Sequence, residues 1–147
     1  MAAKRGLDLK LYYNTASYAT PTWSLITNVE DLTLGLTKAE GNASNRSQVY
    51  AMFMGTQKLA EFSWKMVNNP ADAATAAIQA AYDADPGTLI ELAFADGLIA
   101  TTGTKYRRFE SEILDISEDQ PLAGVSMISV KAKPTYTANA QGVRTTT

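Results

Sequence analysis

The sequence contains neither cysteine nor histidine. Without cysteine no disulfide framework forms, so the fold does not depend on an oxidising compartment. Zinc sites built from either residue are excluded, as are a thiol nucleophile and the commonest catalytic base. Charge is scarce too: Asp, Glu, Lys and Arg make up 19% of the chain, against about 25% in ordinary soluble domains. Coverage of part of the surface by partners is one explanation. With 13 basic and 15 acidic residues the net charge is −2, so no global basic field exists to grip nucleic acid. A surface past which nucleic acid slides without sticking is still allowed. No apolar run approaches the ~18 residues of a membrane helix. Met1 to Arg5 leads into alternating residues rather than an apolar stretch, so no signal peptide is expected.

What is present reads as one globular domain over all 147 residues, 46% hydrophobic. Leu7, Leu9, Leu11 and Tyr13 alternate with Asp8, Lys10 and Tyr12, which predicts a half-buried strand. Trp23 to Val29 is a second candidate, and Leu32, Leu34 and Leu36 mark a third. From Thr37 to Gln48 the residues turn polar and small, which predicts a long loop of the functional or disordered kind. Val49 to Met54 resumes a strand. The clearest sheet signal follows, with Ala60, Phe62, Trp64 and Met66 alternating against Glu61, Ser63 and Lys65.

One helix is predicted, with Asn69 as N-cap, Pro70 as first residue and Asp72 as first-turn acid. Ala74, Ala77, Ile78, Ala81 and Tyr82 form its apolar stripe, and Asp85-Pro86-Gly87 stops it. Thr88 to Ala95, Lys105 to Ile116 and Leu122 to Lys133 read as strands, with Asp96-Gly97 as a hairpin turn and Pro134 as a terminator. The tail from 134 to 147 is polar and has little to pack with by itself. The pattern is mainly β: a β-sandwich or barrel with one flanking α-helix.

Few constellations suggest chemistry. Glu110 and Glu112 share a strand face roughly 6–7 Å apart, a spacing that serves acid–base work in glycosidases, but such pairs are far more often solvated strand faces. Ser117-Glu118-Asp119 reads as an acidic turn. Asp83, Asp85 and Gly87 lack the distal Glu of a calcium loop, where Phe94 stands. Asn42-Ala43-Ser44 and Asn45-Arg46-Ser47 are sequons without a secretory signal. Gly103-Thr104-Lys105 lacks the rest of a phosphate loop. The pairs Lys4-Arg5 and Arg107-Arg108 fit ion pairs or solvent better than nucleic acid. Trp23, Phe62 and Trp64 fit a core better than a sugar platform. No enzyme, metal or cofactor is expected.

The order and spacing of several pieces resemble the phage tail tube protein family over nearly the whole length. They are Gly6-Leu7-Asp8-Leu9-Lys10-Leu11-Tyr12-Tyr13-Asn14, then Trp23, then Asn28-Val29-Glu30-Asp31-Leu32-Thr33-Leu34 with Lys38 and Glu40 beyond. Phe62 and Met66 precede the helix, and Ile90-Glu91-Leu92-Ala93 with Asp96-Gly97 follows it. Gln120-Pro121-Leu122 and Lys133-Pro134-Thr135-Tyr136 complete the series.

The resemblance implies a tail tube fold and a structural role. Hexameric rings would stack into a conduit for genomic DNA, capped and scaffolded by tape measure, terminator and baseplate proteins. The location implied is the virion tail, assembled in the bacterial host cytoplasm, with no membrane binding by this chain. The loop near 37–48, with Lys38, Glu40, Asn42, Asn45 and Arg46, is the expected bridge between rings. The C-terminal arm 134–147, with Lys133, Pro134, Tyr136 and Arg144, is the expected bridge between subunits. Glu61, Glu91, Glu110 and Glu112 are lumen candidates because they sit on polar strand faces. The alternatives are a tube protein of a contractile injection or secretion system, a carbohydrate-binding β-sandwich, and a carboxylate hydrolase.

Overall fold

The computed structural model describes residues 3, 5, 6, 9–135 and 137–147. The elements are β1 (Lys10–Asn14), β2 (Trp23–Leu25), β3 (Val29–Asn42), β4 (Phe53–Val67), α1 (Ala73–Asp83), β5 (Ile90–Ala95), β6 (Lys105–Asp119), β7 (Met127–Pro134) and β8 (Gly142–Thr145). All pairings are antiparallel, in one sheet ordered β2-β1-β5-β6-β7-β4-β3, with β8 also on β6. The protein is therefore mainly β with a single helix among the described residues, as the sequence predicts.

One sheet curls around one core. Phe62, Trp64 and Met66 of β4 meet Leu92 and Phe94 of β5, Phe109 and Ile113 of β6, and Ile128 and Val130 of β7. The Phe62 ring lies 4.7 Å from Phe94 and 5.0 Å from Phe109 between centroids, which ties the two halves of the sheet together. Ala74 and Ile78 press α1 into this core, with Ala77 and Ala81 beside them. Small side chains let the helix lie close. Tyr82, expected in the same stripe, is instead about half exposed.

Several boundaries differ from the sequence reading. The N-cap is Asp72, whose side chain accepts from the Ala74 N–H, and the helix begins at Ala73. Asn69 and Pro70 form the preceding turn, closed by Asp72 N–H donating to the Asn69 carbonyl. At the far end Asp85-Pro86-Gly87-Thr88 is a tight turn with Gly87 at φ 91°, a backbone state open to glycine. The β5–β6 connection is longer than a two-residue hairpin at Asp96-Gly97. It closes only where Asp96 N–H donates to Lys105, because Ile99 folds back beneath Tyr12, Ala93 and Ala95 as a second small core. Tyr12 is thus buried on the face expected to be polar. Leu7, Asp8 and Tyr136 lie outside the described residues.

The largest correction concerns residues 37–48. Thr37 to Asn42 continue β3, paired with β4 from Leu59 to Phe53. The connecting loop runs over 43–52, and Val49, expected in a strand, lies within it at 95% exposed. Polar, small residues lowered the strand signal, but the ladder of the long hairpin supplies their backbone partners and overrides weak propensity. The polar tail also finds a place: β8 extends the line of β7 along the same side of β6.

Candidate assembly surfaces

Two surfaces stand apart from the core. The first is the distal half of the β3–β4 hairpin. Beyond Phe62 no third strand pairs with β4, and toward the tip the apolar groups lie open: Phe53 is 62% exposed, Met54 65% and Tyr50 of the loop 81%. Large apolar groups in such a cluster mark an interaction surface rather than scattered exposure. The loop itself is held by local bonds. Ala43 N–H donates to Met52, the Asn42 side chain accepts from Ser44 N–H, and the Asn45 side chain accepts from Ser47 N–H. Asn42 and Asn45, expected as bridging residues, thus serve the shape of the tip. Lys38, Glu40 and Arg46 are exposed on the same hairpin.

The second surface is the sheet face turned away from the core near β1, β5 and β6, where the C-terminal arm lies as a strap. Glu91 and Glu110 stand opposite each other in register. Both were expected on an open polar face; they are 7% and 6% exposed. Arg108 binds Glu91 through an ion pair, donates to the Tyr18 carbonyl and stacks 3.8 Å from the centre of the Tyr18 ring. Burial opposes the Arg108 charge, but the hydrogen bond and attraction of Glu91, with Tyr18 and Tyr106, outweigh it and raise its pKa above the ordinary value. Asn14 donates to the other Glu91 oxygen at 2.8 Å.

The strap is fastened to Glu110. Asn139 donates to its Oε1 at 2.9 Å, and the Gln141 side chain accepts from its backbone N–H. The second carboxylate oxygen is buried without a hydrogen-bond partner. Tyr18 hydroxyl donates to the Ala140 carbonyl at 2.7 Å, and Arg144 donates to the same carbonyl at 3.3 Å. Glu91 and Glu110, expected among the lumen residues, are thus covered by their own chain. Glu61 remains exposed and Glu112 half-buried, the latter accepting from Gly87 N–H at 3.0 Å. Lys133 stands opposite Glu112, and Pro134 closes β7. No group of three or more acidic residues among the described ones is placed to hold a metal ion, and no helix is long and apolar enough to cross a membrane.

No protein-family model and no curated protein matches this chain. Solved structures do. The SPP1 tail tube is similar over 97% of this chain and 80% of that one, with a TM-score of 0.77 at 14% identity. A subunit from the tail of an empty gene transfer agent particle, helical with C6 symmetry, is similar over 99% of this chain and 100% of that one, with a TM-score of 0.68 at 13% identity. A chain of the sheath–tube complex of an extracellular contractile injection system has a TM-score of 0.67 at 5% identity, covering 97% of this chain and 92% of that one. This chain has the tail tube fold. Within that fold, sequence reading missed three things: the apolar hairpin residues Tyr50, Phe53 and Met54, the anchoring of the strap by Tyr18, and the pairing of Glu91 with Arg108. The first had a signal, a cluster of large apolar residues next to a polar stretch. The other two join residues far apart in sequence, which periodicity does not connect.

Proposed function

We propose that the chain is the repeating structural subunit of a tail tube, non-enzymatic, forming stacked hexameric rings that carry genomic DNA during delivery. The observation that carries this reading is the whole-chain likeness to the SPP1 tail tube. Support comes from the C6 symmetry of the similar gene transfer agent tail and from the apolar distal hairpin, which needs a partner. Rings would be bridged by the hairpin, through Tyr50, Phe53 and Met54 with Lys38, Glu40 and Arg46 at the rim. Subunits would be bridged by the C-terminal arm that leaves β7 at Pro134 and carries Arg144. Other tail proteins would cap the tube, in a virion tail assembled in the host cytoplasm.

The lumen wall in this reading is the sheet face of β4, β7 and β6 opposite the core, including Glu61 and Glu112. Asp115 stands opposite Lys131 there, and Glu112 opposite Lys133. Matched charges of this kind leave little net field for phosphates to grip. Negative-stain electron microscopy of the purified chain over a concentration series tests the proposal. Hollow stacked rings are expected. Sedimentation as a monomer at every concentration, with no ring in the images, overturns it.

A further inference from the structure

The hairpin and the end of the strap enclose a cleft of about 780 Å³. On its walls stand Lys38, Lys58, Arg107 and Arg144, with Leu36 and Val143 as apolar lining and no carboxylate. Lys38 and Lys58 face each other in register. Like charges directly opposite across two strands are destabilising. Among the described residues neither lysine nor Arg107 has an ion-pair partner. The cleft therefore holds positive charge that its own chain leaves uncompensated.

The compensating charge stands at the other end of the molecule. Glu118 and Asp119 are exposed at the end of β6, with Ile128 and Met127 rather than a cation opposite them in register, and among the described residues neither has an ion-pair partner. Glu118 accepts only from the Gln120 side chain, at 3.3 Å. The turn that follows carries Leu122 and Val125, both exposed apolar groups. Arg107 and Asp119 lie on one strand, on the order of 40 Å apart at the rise of an extended chain. One copy cannot bring its own turn into its own cleft.

We propose that the basic cleft of one copy receives the acidic β6–β7 turn of a second copy, with Glu118 and Asp119 facing Lys38, Lys58 and Arg107. The contact rests on the tube reading and assigns it a polarity. It joins two different patches, so it is heterologous and propagates head to tail. Opposite charges set the register and suppress the reversed, head-to-head docking, while Leu36 and Val143 meet Leu122 and Val125. A nucleic acid would use the three cations but not the apolar lining.

Two full-length variants test this. One is K38E/K58E/R107E and the other E118K/D119K. Each makes cleft and turn alike in sign, so each alone should lose about tenfold or more of the assembled fraction at concentrations where wild type assembles. Mixed in equal amounts, the cleft of each meets a turn of opposite sign, and assembly should return. Circular dichroism melting confirms folding; should either variant unfold, the neutral sets K38Q/K58Q/R107Q and E118Q/D119N replace it, and assembly of each should lose its salt dependence. Wild type that never assembles overturns the tube reading and this inference together. Wild-type tubes with undiminished assembly of either variant overturn the inference alone, as does a mixture that stays unassembled. Wild-type subunits that bind duplex DNA through the cleft, with assembly indifferent to the charge reversals, overturn it in favour of a nucleic-acid site.

Discussion

The two halves of the β3–β4 hairpin use the same backbone ladder for opposite ends. From Phe62 to Val67 the β4 side chains alternate between core and surface, and Phe62 and Met66 are wholly buried. From Phe53 to Leu59 every residue is exposed although several are just as apolar. The register runs through both halves, with one irregularity in each, between Glu30 and Thr33 and between Lys38 and Glu40. What differs is the third layer: β7 pairs β4 only from Phe62 onward. Apolar character without a neighbouring element in the same chain points to a neighbour in another chain.

The contrast can be broken from either side. Phe62→Ala removes a ring that joins three strands, and should destabilise the monomer by about 3–5 kcal/mol in urea unfolding. Asp72→Ala removes the helix cap and should cost about 1 kcal/mol by the same measurement. It tests whether α1 contributes to the proximal half as a packed lid rather than as a decoration. Phe53→Ser with Met54→Ser should move monomer stability by no more than about 0.5 kcal/mol, yet abolish stacked rings in electron microscopy. A large loss of monomer stability from that pair would erase the distinction between the halves, since it would make the distal residues part of the fold.

The legible parts of this protein are those where burial follows a local period. Ala60 to Met66 alternates because the strand lies on a core, and the stripe from Ala74 to Ala81 repeats because a helix does. The distal hairpin was hidden since Thr37 to Asn42 hold small and polar residues whose strand conformation comes from pairing with β4, not from their own preference. Tyr12 looked like a polar-face residue because the fold of Ile99 beneath it is set by a connection some 87 positions away in sequence. Glu91 and Glu110 looked solvent-facing for the same reason: alternation assigns a face, but whether that face is covered depends on where Tyr18 and residues 139–141 come to lie.

The sequence by itself determined that there would be one mainly β domain with one helix, no thiol or imidazole chemistry, and a core built on Phe62, Trp64 and Met66. Side-chain type and spacing suffice for these, since each depends on near neighbours along the chain. Tertiary structure alone decided that Tyr18, held by the strap, covers a buried Arg108–Glu91 pair, that three cations converge on one cleft, and that the acids able to answer them stand at the opposite end of β6. Those facts rest on register and curvature, which bring distant residues together or hold near ones apart.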